Sequence, residues 1–167
     1  MNSGQFGIPG SSNASFATMT DLLWGGDESR IEVLKSSAHA IDSASRDAGN
    51  TPTAVLRQGL ILGLVTATGK LKQYDPDAED GTEVPYGVLP VELRMTDELG
   101  VAVDRYCPVI VSAPVKSDRL LILGDSMIGH DDEDVTVAAL KLKFFRLSHE
   151  LCGVASPLVI PEPEPET

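Results

Sequence analysis

The stretch DPDAEDG, residues 75–81, places four carboxylates within six positions. Closely spaced carboxylate oxygens are what a hard cation such as calcium needs. An EF-hand loop puts ligands at positions 1, 3, 5, 7, 9 and 12, with glycine at 6 and a bidentate glutamate at 12. Counted from Asp75, Asp77 and Glu79 fall on positions 3 and 5. Position 6 is then Asp80, Gly81 comes one residue late, and position 12 is Tyr86. Pro76 at position 2 is a further departure, and no helical pattern flanks the stretch. It reads instead as a solvated turn, because Asp and Gly accept turn geometry and Pro fixes φ.

A second candidate is GHDDED at 129–134. The three histidines, His39, His130 and His149, are widely spread, and neither Cys107 nor Cys152 has a second ligand at metal spacing. Acidic residues are favoured at a helix N-terminus by the helix dipole, so Asp132 or Asp134 is expected to cap a following helix. No GxSxG elbow, phosphate-binding GxxxxGK[ST] loop or GxGxxG fingerprint occurs. A Ser–His–Asp set can be drawn from any chain of this length, so none is assigned. The expectation is no enzyme: no catalytic residue, no cofactor site and no metal site. The two cysteines read as small buried hydrophobes, with a single bridge between them left open.

The charge balance narrows the partners. A formal net charge of -12 and the lack of any Lys/Arg cluster argue against direct nucleic-acid binding, which draws its affinity from counterion release. The longest apolar runs, such as LILGLV and LLIL, fall far short of the ~20 residues of a membrane span. The N-terminus lacks the basic and apolar regions of a signal peptide, so the NAS match at Asn13 reads as chance. With 23% charged and 42% hydrophobic residues, the chain is globular in composition.

The elements follow from periodicity and punctuation. Residues 1–20 carry no charged side chain and no apolar period. They read as a mobile arm, or as an arm that orders against a partner with Phe6, Ile8, Phe16, Leu22, Leu23 and Trp24 as anchors. Ordering it costs roughly 1–2 kcal/mol per residue; strand pairing or aromatic anchoring would have to offset that. Ile31–Ile41 fits a strand or a short helix. The ordered core is expected to begin near Ala54. Leu60–Thr66 and the residues from Leu71 form strands around a TATGK turn. VPYGVLPVEL is a strand whose Pro85 and Pro90 place it at an edge or at bends. RMTDELG is a turn, and VAVDRYCPVIVSAPV a strand pair with Pro108 inside it. DRLLIL closes the series. The helix is expected within 131–153, with Val137, Leu140, Phe144 and Leu147 as its buried stripe and Gly153 at its end. VASPLVI is a candidate last strand, and PEPEPET, residues 161–167, a disordered acidic tail.

Leu56–Leu89, LRQGLILGLVTATGKLKQYDPDAEDGTEVPYGVL, resembles the tailed-bacteriophage head decoration proteins, the lambda-type capsid-stabilising family. Gly59, Leu62, Gly63, Val65, Gly69 and Lys70 carry the first half of the likeness. Tyr74, Pro76, Ala78, Asp80, Gly81, Thr82, Gly87, Val88 and Leu89 carry the second. A looser likeness continues through DRYCPVIVSAPVKSDRLLIL.

The resemblance implies an α+β, β-rich protein: a small twisted β-clip-like domain, one helix in the C-terminal half and a flexible N-terminal arm. It implies a virion protein on the outer surface of the expanded capsid, present in the host cytoplasm during assembly. There it would bind the major capsid protein as a homotrimer and resist the pressure of packaged DNA. The expected divisions are a docking arm (1–24), a linker or extension (25–53), the decoration domain (54–160) and the acidic tail (161–167). Deleting 1–24 is expected to weaken docking and leave the domain folded. The alternative is a β-rich module for a polysaccharide or other surface ligand. It would need an aromatic platform, and aromatics are 5% with Trp24 the single tryptophan.

Overall fold

The fold is that of a computed structural model in which residues 22–23, 33–143 and 145–147 are described. Its centre is the stretch that carries the resemblance. Strand β4 (Ile61–Leu64) turns at 65–70 into β5 (Leu71–Gln73), pairing Leu62 with Gln73 and Leu64 with Leu71. Val65 N donates to Lys70 O (2.9 Å) and Gly69 N to Val65 O (2.8 Å), closing the turn. On its other side β4 pairs antiparallel with β6 (Pro85–Val88). Strand β6 lies inside the sheet, between β4 and β9 (Ile110–Ser112); of the edge or bends that its prolines suggest, the edge is not what is found. The reason is position: Pro85 is the first residue of the strand, opposite a register shift between Leu62 and Gly63, where no ladder donor is missed.

Among the described residues the sheet has seven strands in the order β1-β9-β6-β4-β5-β2-β8, with β3 (Val55–Leu56) and β7 (Leu93–Arg94) paired apart from it. Strands β1 (Leu34–Lys35) and β2 (His39–Ile41) are separated by three residues, 36–38, yet lie near opposite ends of it. So do β8 (Arg105–Cys107) and β9 (Ile110–Ser112), separated by Pro108 and Val109. The registers explain this. Leu34 pairs with Ser112, His39 with Cys107 and Ile41 with Arg105, so 34–41 and 105–112 form one antiparallel ladder bent in the middle. Ser36 N donates to Val109 O (2.9 Å) at the bend. The sheet must therefore curl upon itself, giving a half-barrel. The expected β8–β9 pair does not form: a two-residue hairpin needs positive φ at its first loop residue, which Pro108 cannot adopt, and each strand takes a partner from 34–41 instead. Among the described residues, strands are thus present from Leu34, before Ala54 and inside the segment read as a linker or extension.

Alternation along the strands feeds two cores. Ile61, Val88 and Ile110 face one; Leu62, Leu89 and Val109 face the other. The first core is covered by helix α1 (Glu133–Leu142) through Leu140. Tyr74, fully buried, receives a 3.3 Å hydrogen bond from the Thr136 hydroxyl of α1. Burial pushes its phenol pKa up. The helix is shorter than the 131–153 segment suggests. It stops at Leu142, and β13 (Arg146–Leu147) follows, parallel to β10 (Pro114–Val115). Phe145 and Leu147 are both buried at strand spacing, so period two displaces period 3.6. Phe144 and 148–167, including Cys152, Gly153 and the expected last strand, lie outside the described residues. Cys107 is a buried free thiol whose pKa is raised by that burial.

The expected acidic cap also differs. Asp132 occupies the N-cap position without a side-chain cap bond. Its carboxylate lies 3.4 Å from His130 Nδ1, and Glu133 instead accepts from Gly129 N at 2.7 Å.

Candidate functional site

The root of the arm is where sequence and structure meet most directly. Leu23 forms an antiparallel bridge with Val115, and Lys116 N donates to Leu22 O at 2.9 Å. Both leucines are fully buried in the core that also holds Leu140 and Leu147. Segment 22–23 and β13 therefore flank the same strand, β10. Parallel and antiparallel directions put Leu22 and Leu147 at the same end of it. Two of the six anchors expected for docking, Leu22 and Leu23, are thus used inside the domain itself. Burying a leucine contributes about 1.5–3 kcal/mol. A deletion of residues 1–24 would accordingly remove two core leucines as well as the arm. Phe6, Ile8, Phe16 and Trp24 lie outside the described residues.

The motif turns belong to the seven-stranded sheet, whereas the root bridges β10 in the separate β10–β13 pair. Gly69 has φ +67° with open space around it; it supplies a left-handed turn. Lys70 Nζ lies 2.7 Å from Asp104 Oδ2. That bond raises the lysine pKa and lowers the aspartate's, tying the turn to the approach of β8. Gly87 is tight: a Cβ there would lie 2.6 Å from Ile110 O of β9.

The acidic stretch folds back on β4. Asp80 O accepts from Thr66 N and Oγ1, both at 2.9 Å. The Asp80 carboxylate accepts from Thr82 Oγ1 (2.5 Å) and N (3.1 Å). Gly81, at φ +105°, allows the contact, since a Cβ would lie 2.5 Å from Leu64 O. Asp75 Oδ1 accepts from Asp77 N, and Glu83 Oε2 from Gly81 N. These carboxylates bond to nearby backbone amides and do not converge on a point. Among the described residues no group of three or more His, Cys, Asp or Glu is placed to hold a metal.

The two Thr82 bonds hold the Asp80 carboxyl below the usual carboxylate range. The linked stabilisation is complete above the ordinary value of about 3.9 and is lost as pH falls through the lowered folded value. Asp80→Asn is expected to flatten the acid limb of the melting temperature below about pH 4. Parallel acid limbs in thermal melts of wild type and variant would remove the linkage.

A buried ion pair was not foreseen from the sequence. Asp47 is fully buried and accepts from Arg57 Nε (2.7 Å), Nη2 (2.8 Å) and N (3.1 Å). Nη2 also donates to Gly124 O. Asp47 sits in RDAGNTP, which reads as an ordinary polar loop; only the distant Arg57 and Gly124 reveal its burial. His39 Nε2 and Tyr86 Oη, 2.5 Å apart with rings edge to face, were also unmarked. Leu34 and Tyr106, on the end strands β1 and β8, are 59% and 74% exposed, leaving apolar surface beside both sheet ends.

The family model described as bacteriophage lambda head decoration protein D matches residues 30–115, just over half of the 167 residues. The match runs from the approach to β1 through β10, the whole curled sheet. No match to a curated protein or to a solved structure was found. The chain belongs to the bacteriophage lambda head decoration protein D family, and with it to the structural proteins of the phage head.

Proposed function

We propose that this protein binds the outside of the expanded phage head, contacts the major capsid protein and stabilises the shell against internal DNA pressure. The observation that carries the reading is the family match across the curled sheet. The arm root supports it, because load on residues 1–21 would pass through Leu22 and Leu23 directly into the core. A protein that binds the assembled lattice, and not its separated parts, stabilises that lattice by mass action. Many symmetric copies make modest individual contacts sufficient. Phe6, Ile8 and Phe16 are the proposed docking anchors, and the proposed assembly on the shell is a homotrimer. The uncharged arm avoids the desolvation penalty that Lys or Glu would bring to an interface.

The test is to mix the protein with expanded, undecorated capsids and image them. Density at the local threefold positions is expected; bare capsids at saturating protein would end the proposal. Deleting only residues 1–20 keeps the buried leucines. It is expected to lower capsid affinity at least about tenfold, or ~1.4 kcal/mol, with the melting temperature unchanged. Full affinity in that variant would remove the arm from the mechanism and leave decoration itself standing.

A further inference from the structure

Strand β10 is held from both edges by segments that lie far apart in the chain. On one edge Leu23 bridges Val115 antiparallel; on the other, β13 pairs parallel and sets Leu147 opposite the same Val115. Residues directly opposite in neighbouring strands point to the same face. Leu23, Val115 and Leu147 therefore form one cross-strand row, and all three are fully buried. Among the described residues, neither 22–23 nor β13 has another strand partner, and β10 is not paired with the seven-stranded sheet. The ribbon is also short: β10 and β13 have two residues each. Two such strands alone are marginal in water, and a third strand with a buried face is what makes them hold. Removing either flank leaves the unstable pair.

We infer that segment 22–23, β10 and β13 form a clasp that opens and closes as one unit, so that the arm root leaves the domain only together with β13. Val115 is the shared member. Leu23 and Leu147 lie two strand spacings apart, about 10 Å. At that separation the effects of substitutions add unless they share a partner; here the shared partner is Val115. The clasp extends to helix α1: Phe145 N donates to Leu140 O at 3.2 Å, and Leu140 shares its core with Leu22, Leu23 and Leu147. Units of this size open at a lower cost than global unfolding. Coupling between two sites is reciprocal. Whatever holds the root closed also holds β13 and the end of α1, and loss of β13 frees the root. The clasp is a property of the free chain; its consequence, that a docked arm locks β13 in place, rests on the proposed capsid function.

Two neighbouring amides report the two edges. Lys116 N donates to Leu22 O at 2.9 Å; backbone groups alternate along a strand, so the Val115 amide faces β13. Hydrogen exchange is measured in the full chain, with rates taken relative to the amides of β4. Leu147→Ala, on the β13 edge, should speed exchange at Lys116 at least about tenfold, and Leu23→Ala should do the same at Val115. The double variant should exchange no more than about threefold faster than the quicker single one, since one loss already opens the clasp. Leu71→Ala, in the second core on β5, should leave both ratios unchanged. Leu23→Val and Leu147→Val give the same readout with smaller cavities where an alanine variant does not fold. If each variant sped only the amide on its own edge, the clasp would be overturned, as it would by effects that multiply in the double variant. Equal acceleration in Leu71→Ala would place the opening in the whole domain and overturn it too. No capsid enters the measurement, so a protein that failed to bind capsids would leave the clasp standing.

Discussion

Arg57→Ala is expected to lower the unfolding free energy by about 3 kcal/mol, the lower end of the range for removing one member of a buried ion pair. The loss comes from what is left behind. Asp47 is fully buried, and three of its hydrogen bonds come from Arg57. Two of the three vanish with the guanidinium. The arginine side chain is 35% exposed, so the pair is not wholly shielded, which places the estimate at the low end. The asymmetry predicts a second result. Asp47→Asn keeps acceptor capacity and leaves a guanidinium that can reach water, so it should cost less, about 1–2 kcal/mol. Arg57→Lys restores charge but not the planar fork, and should not recover the wild-type value. The same guanidinium holds Gly124 O, and Leu123 beside it is the one described non-glycine residue with positive φ, +52°. The pair therefore clamps a strained turn between β11 (Leu121–Ile122) and β12 (Asp125–Ser126). Urea titration should show a lower midpoint with an unchanged slope. A loss below about 1 kcal/mol for Arg57→Ala would mean that Asp47 finds other partners, and the clamp would be discarded.

The parts of this fold legible in the sequence are those fixed by neighbours in the chain. Strand β4, the turn at Gly69, β5 and β6 announce themselves by short apolar runs and glycines. The parts that were not legible depend on distant partners. Residues 34–41 read equally as helix or strand because their ladder partner, 105–112, is far along the chain. Pro108 falls inside an apparent strand pair, but it marks the bend of that long ladder. The helix reading ran past Leu142 because Phe145 and Leu147 can continue either period; pairing with β10 decides for the strand. Leu22 and Leu23 resemble the other apolar residues of the arm, and only Val115 and Leu140 make them core. The candidate site was legible as a framework of turns, not as a set of contacts. The motif glycines were visible, but their reasons differ in a way that sequence cannot express.

That difference yields the second large effect: Gly59→Ala should destabilise by about 3–5 kcal/mol, whereas Gly69→Ala should cost about 1 kcal/mol. Both glycines have positive φ, +89° and +67°, so both variants carry conformational strain. At Gly69 that is the whole cost, since no atom lies within 4 Å of an added Cβ. At Gly59 the Cβ would sit 1.9 Å from Arg119 O, inside any tolerable contact. The backbone cannot withdraw freely. Gly59 N donates to Leu89 O at 2.9 Å, and Gly59 O accepts from Leu121 N at 3.0 Å. Relieving the clash must break one of these or shift the Ser117–Arg119 turn. Leu22 Cδ1 lies only 3.6 Å from the same Cβ position, so the displacement reaches the root of the arm. Hydrogen exchange at the Lys116 amide, which donates to Leu22 O, should accelerate in Gly59→Ala and stay unchanged in Gly69→Ala. Equal losses of stability in the two variants would show that φ alone sets the requirement for glycine. The larger loss at Gly59, joined to faster exchange at Lys116, would mean that this glycine is needed for close packing beneath the arm, and Gly69 only for its turn.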